Sequence, residues 1–158
     1  MNIKIIAVGK LKDRFWSEAS AEYEKRLSRF CSLDIREIKE AKLPGNASPA
    51  DEADAMEAEG RDILSKVEKS DYVIALAVEG KELDSPAFAS KIRTLADEGK
   101  SLAFIIGGSN GLSDEVKARA NEKLSFSRMT FPHRMARIIL LEQIYRAYKI
   151  NAGETYHK

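Results

Sequence analysis

The sequence predicts an α/β protein: a parallel sheet with helices on both faces. Three observations carry this expectation. Segments of strand character and segments of helical period alternate five times, with no internal repeat and no linker, and such alternation implies crossovers that keep the strands parallel. Residues 71–78 (DYVIALAV) form a near-continuous apolar run, the composition of a strand covered on both faces. Glycine stands where strands are expected to end, at Gly9, Gly80 and Gly107.

The elements follow in order. Residues 2–8 (NIKIIAV) read as a buried strand. Asp13 is placed to cap a helix on which Phe15, Trp16, Ala19, Tyr23, Leu27 and Phe30 hold one face; aromatics at that spacing are expected in the core. Lys25, Arg26 and Arg29 lie opposite, as a solvated face. Residues 33–38 alternate like a second strand, and residues 39–47 (KEAKLPGNA) read as a loop around Pro44 and Gly45. Ser48, Pro49 and Asp51 supply a cap, a first-turn proline and an acid at the third position. The helix they start turns Met56, Gly60, Ile63, Leu64 and Val67 to one side. After the strand at 71–78, Ser85 and Pro86 open a helix with Phe88, Ile92 and Leu95 inward, and Gly99 ends it. Residues 102–106 are a short apolar strand that runs into GGSNG. Ser113 caps the next helix, with Asp114 and Glu115 where the helix dipole favours acids. Residues 125–132 (SFSRMTFP) have β-like composition and stop at a proline. From Arg134 a long helix carries Met135, Ile138, Ile139, Leu141, Ile144, Tyr145 and Tyr148 at helical period.

Composition narrows the function. At 158 residues the chain fits a single domain, residues 1–158, with a proper core. A net charge of +1 excludes a broad polycationic surface, so contact with nucleic acid requires a local basic patch. One cysteine, Cys31, excludes an internal disulfide and fits a reducing compartment; it is expected as a core thiol. No apolar run is long enough to span a bilayer, and a cytoplasmic location is expected. Two histidines and no cysteine cluster predict no metal site.

In a parallel sheet, ligands settle outside the carboxyl ends of the strands. Three loops qualify: after Val78, after Ile106, and around residues 127–132. GGSNG at 107–111 lacks both the dinucleotide and the P-loop spacings. It is either a tight βα turn that needs glycine for positive φ or a cradle of backbone N–H groups for a ligand. The loops combine glycine backbone, aliphatic side chains (Leu76, Met129) and hydroxyls (Ser127, Thr130), a mixed surface suited to an adenosine-like moiety. Group transfer from a nucleoside cofactor asks little further of the protein, because the cofactor carries the reactive centre. A flavodoxin-like or nucleotide-binding module without chemistry of its own fits the alternation equally well, as does a dimeric ribosome-binding factor.

Three local patterns carry a resemblance: AVGKLK at 7–12, FIIGGSNGLS at 104–113, and LSFSRMTFPHRMARIILLEQIYRAYKI at 124–150, with the terminal Tyr156-His157-Lys158 in support. Together they resemble the RlmH family of SPOUT-class methyltransferases, which methylate N3 of a pseudouridine in 23S ribosomal RNA. The resemblance implies a C-terminal trefoil knot and S-adenosylmethionine as cofactor. It also implies a homodimer in which each site borrows residues from the partner, and the large subunit or assembled ribosome as substrate. Carried over by motif, the cofactor pocket would comprise Leu76, Gly108, Ser127, Arg128, Met129, Thr130, Phe131 and Pro132. His133, directly after that loop, is the candidate base for the N3 proton. Arg137, one turn on, is a candidate to hold a phosphate or developing negative charge. His157, with Tyr156, is the candidate contribution of the tail. Each has a plainer alternative: a backbone hydrogen bond for His133, ion pairs with Glu142 for Arg137 and Arg146, and a disordered tail.

Overall fold

A computed structural model describes residues 1–158. The elements run β1 (Asn2–Val8), α1 (Arg14–Leu27), β2 (Ser32–Ile38), α2 (Pro49–Leu64), β3 (Asp71–Glu82), α3 (Ser85–Asp97), β4 (Ser101–Ile106), α4 (Asp114–Arg119), β5 (Glu122–Ser125) and α5 (His133–Asn151). The five strands form one sheet in the order β2-β1-β4-β3-β5, and every pairing is parallel. All strand exits therefore share one edge, as alternation predicted.

Two apolar layers sandwich the sheet, and alternate residues of each strand feed them. On one face Ile3, Ile5, Phe104 and Ile106 pack beneath Leu27 of α1, Phe88 and Ile92 of α3, and Leu140, Leu141 and Ile144 of α5. On the other, Ile6, Val8, Ala103 and Ile105 meet Ile63 of α2 and Val116 of α4. This period-two division explains why the central strands read as unbroken apolar runs. No helix is long and apolar enough to cross a membrane.

Several boundaries differ from the sequence reading, each for a local reason. Asp13 precedes α1 but makes no side-chain cap bond; its carboxylate instead pairs with Arg134 of α5 at 3.3 Å. Phe15 is 62% exposed, because α1 packs on the core through Tyr23 and Leu27 while Phe15 meets only the neighbouring Trp16 ring, at 4.9 Å, among aromatic partners. β3 continues past Val78 through an irregularity between Leu76 and Lys81 before pairing again with β5. Gly80 thus sits inside the strand, where a Cβ would come within 2.7 Å of the Lys123 and Leu124 backbone; the glycine serves close approach rather than a turn. Asp84, one residue before Ser85, caps α3 by accepting the Ala87 N–H.

The fifth strand lies at Glu122–Ser125, not at 125–132. Past Ser125 the chain leaves the sheet. The Ser125 hydroxyl donates to the Ser127 carbonyl at 2.9 Å, and the Ser127 hydroxyl accepts the Met129 N–H at 3.0 Å. Such local side-chain bonds draw the backbone away from a ladder. Residues 126–132 are therefore an irregular loop, and α5 begins at His133, where the Pro132 carbonyl accepts the Ala136 N–H.

Candidate functional site

The carboxyl edge of the sheet holds a cavity of about 620 Å³, within the range of pockets that enclose small organic ligands. Three walls form it, and they are the three loops that parallel-strand logic selected. The first is the end of β3 with Leu76, Val78 and Glu79; the second is the glycine turn after Ile106; the third is the loop leading from Ser125 to Pro132.

The glycine turn is shaped by what cannot fit. Gly108 and Gly111 form an isolated antiparallel bridge, and Gly111 has φ of 78°, a conformation costly for any residue with a Cβ. A Cβ on Gly108 would lie 2.9 Å from Val8 Cγ1, and one on Gly107 would lie 3.0 Å from the Gly111 carbonyl oxygen. The turn is both a tight βα connection and a bare stretch of backbone facing a cavity. Ser113 then caps α4, accepting the Val116 N–H at 3.3 Å.

Of the residues named from sequence, the cavity brings together Leu76, Gly108, Ser127, Met129, Thr130, Phe131, Pro132 and His133. Met129, 73% exposed, stands at the rim. Arg128 is exposed and does not line the cavity; the loop turns it outward. Arg137 also lies outside the lining. It is buried, donates to the Gly9 carbonyl at 2.9 Å and pairs with Glu37 of β2 at 2.9 Å. These two bonds tie α5 to the exits of β1 and β2 and hold the guanidinium there rather than in the cavity wall. Its partner is Glu37, not Glu142; Arg146 takes Glu142, at 2.6 Å.

His133 is half-buried. Its Nε2 is shut away without a hydrogen-bond partner and would lie 3.2 Å from a Cβ built on Gly9. Burial is the main cause that lowers its pKa, and Arg134 and Arg137 add to the shift against Glu40, so the surroundings favour the neutral imidazole. The other charged groups in the wall are Glu79 and Lys117. They pair at 2.7 Å, and the hydrogen bond from Lys117 holds the Glu79 carboxyl below its usual range.

The tail is docked, not loose. Tyr156 stands edge-on to Tyr145 at 5.0 Å and donates to Glu142 at 3.2 Å. Arg146 covers the Tyr156 ring at 4.8 Å and reaches His157 Nδ1 at 3.3 Å. His157 lines a second cavity, between α3 and α5, which shares Leu124, Ser125 and Phe126 with the first. No group of three or more His, Cys, Asp or Glu side chains is arranged to hold a metal ion.

The family model described as "Predicted SPOUT methyltransferase" matches residues 1–157. The chain belongs to the SPOUT methyltransferase family. Among relatives of this SPOUT chain, a protein of Clostridium novyi is 57% identical, one of Clostridioides difficile 54% and one of Bacillus cytotoxicus 52%, each over 159 residues covering 100% of both chains. All three are named "Ribosomal RNA large subunit methyltransferase H". The residue of this SPOUT chain that its sequence did not single out is Glu59. It is a buried acid on an otherwise ordinary helix, and its neighbours come from distant segments.

Proposed function

We propose that this chain transfers a methyl group from S-adenosylmethionine to N3 of a pseudouridine in 23S ribosomal RNA. It would act on the large subunit or assembled ribosome, in the cytoplasm, as a homodimer with its C-terminal third threaded as a trefoil. The observation that carries the reading is the single cavity walled by all three strand-exit loops in a SPOUT-family chain. Relatives at 51–57% identity carry ribosomal RNA in their names, which supports the substrate.

The residues present suit the cofactor. The Gly107–Gly108 backbone offers polar groups where no Cβ intervenes. Leu76, Leu112, Met129 and Phe131 provide apolar surface for a base, and Ser127 and Thr130 provide hydroxyls. Bound S-adenosylmethionine supplies an already activated methyl group.

The protein's own task is to align the two reactants and to take the N3 proton. His133 is the neutral base in the wall and takes that role here, through Nδ1, because Nε2 faces Gly9. Glu79, held ionised by Lys117, is too weak a base to compete. Lys10 and Lys12 beyond β1, Lys39 and Lys42 beyond β2, and Arg128 are all exposed on this edge. They form the local basic rim that a chain of net charge +1 needs for RNA. His157 completes the site of the partner subunit.

The test is transfer of tritiated methyl from S-adenosylmethionine to ribosomes lacking the modification, with mass spectrometry of the nucleosides. Label on N3-methylpseudouridine is expected. Label on another nucleoside overturns the substrate; binding to ribosomes with no label overturns the enzyme.

A further inference from the structure

Behind the glycine turn lies a polar group that methyl transfer does not use. Glu59 of α2 is 2% exposed. Its Oε2 accepts the backbone N–H of Ala41 at 3.0 Å, while Oε1 is buried with no partner. A Cβ built on Gly108 would stand 3.8 Å from that bare oxygen. Glu59 does not line the cavity; Gly108 does. The carboxyl therefore reaches the turn from behind, across the layer that Val8 also occupies. The next residue on α2 braces the other end of the same segment: a Cβ on Gly60 would lie 2.3 Å from Ser113 Oγ, the cap of α4.

An acid is a costly choice for this place. Buried polar atoms in native proteins nearly always find partners, and an exception calls for a role. An aliphatic side chain would fill the space without desolvating a carboxyl. Burial raises the Glu59 pKa, the Ala41 N–H opposes the rise, and Glu40 adds to it.

We infer that Glu59 is a positioning residue that joins the 39–47 loop, through Ala41, to the glycine turn and fixes the backbone Gly108 presents to the cavity. The inference rests on the reading of that cavity as the cofactor site. Oε2 holds the loop; Oε1 is the free position that a peptide group of the turn takes when ligand seats against Gly108. Loop and turn then order together, and cofactor affinity depends on a side chain that never touches cofactor.

Two variants test this. Glu59→Gln keeps the shape and one acceptor for the Ala41 N–H; Glu59→Leu keeps volume and removes both the Ala41 link and the free polar position. Calorimetric titration with S-adenosylmethionine is expected to show Glu59→Gln within about 3-fold of wild type, and folded Glu59→Leu at least about 10-fold weaker. The KM for S-adenosylmethionine should rise with kcat little changed. Amide hydrogen exchange at Ala41 of the cofactor-free protein should be faster in Glu59→Leu than in wild type, and S-adenosylmethionine should slow exchange at residues 107–111 in wild type but not in Glu59→Leu. Wild-type affinity and exchange in Glu59→Leu, or equal impairment in both variants, overturns the inference. A wild-type protein that binds no S-adenosylmethionine removes the cofactor reading instead, and exchange in the free protein still decides the role of Glu59.

Discussion

At the amino edge of the sheet, Lys4 of β1 is buried with its ammonium 2.9 Å from Asp71 and 3.2 Å from Glu68. Asp71 also accepts the Glu68 N–H, and Arg119 closes the Glu68 and Asp71 carbonyls. Asn121 bonds the N–H of Val73 through its side chain and the carbonyl through its backbone. At the carboxyl edge the pattern reverses. The three buried side-chain atoms that lack partners are all found there: His133 Nε2 belongs to a residue of the cavity wall, Arg134 Nε to its neighbour, and Glu59 Oε1 lies behind the glycine turn. One edge closes its polar groups against each other and secures the fold. The other pairs some of its groups, Arg137 with Glu37 and Lys117 with Glu79, yet leaves these three atoms bare, as expected where a protein departs from its own packing rules to bind something.

The sharpest way to break this contrast is to damage the closed edge. Asp71→Ala leaves Lys4 with only the exposed Glu68, and removing one member of a buried pair costs about 3 kcal/mol or more. Urea denaturation should show that loss, while the molecules that remain folded bind cofactor as wild type does. A weakened cofactor affinity in the folded fraction would show that the two edges are not independent.

Changes at the open edge should act in the opposite sense. The folded-state pKa of Glu59 is raised, by burial first. The native protein therefore keeps the proton while the unfolded chain loses it above the ordinary carboxylate range, and stability falls as pH rises through the folded value. Glu59→Gln removes that dependence. It should stabilise the protein at pH 7 by on the order of 1 kcal/mol, as expected for relieving an uncompensated buried group, with the gain fading as pH drops toward 4. For His133 the sign is inverted. Its folded pKa is lowered, so wild-type stability declines as pH falls from the ordinary histidine value toward the folded one, because only the unfolded chain takes the proton. His133→Ala should flatten that decline and alter stability at pH 7 by less than about 1 kcal/mol. It should cut turnover about 100-fold, the contribution of a general base. Unchanged turnover with normal cofactor binding removes His133 from the mechanism.

The sheet and the meeting of its three exit loops were largely legible in the sequence, and the polar clusters at both edges were not. Strand alternation and apolar runs depend on local period, which a single chain displays; the residues of the three exit loops then meet because parallel strands must end together. The partners of Arg137 were not legible because Gly9 and Glu37 lie about 100 residues away or more; position on a helix says nothing about them. The β-like composition of 125–132 misled because Ser125 and Ser127 bond the local backbone. Glu59 gave no signal because its meaning comes from Ala41 and Gly108, neither of which is near it in the chain.

The smallest effect on stability is expected at the tail, and it tests whether the open edge is complete within one chain. Ending the chain at Thr155 removes Tyr156 and His157, whose hydrogen-bond partners are Glu142 and Arg146 of α5. Contacts of this kind are worth about 0.5 kcal/mol, so the thermal midpoint should barely move. Neither residue lines the cavity walled by the three exit loops, and the affinity proposed there for cofactor should hold. Methyl transfer should fail, because His157 is proposed to serve the partner's site. Mixing truncated subunits with His133→Ala subunits then offers a separation that neither variant gives alone. In a two-fold dimer, half of a random mixture is mixed pairs, each with one site that has both an intact wall and an intact tail. Roughly a quarter of the sites should recover. Recovery of none places the tail in its own subunit's site, and full activity of the truncated protein removes His157 from the reaction.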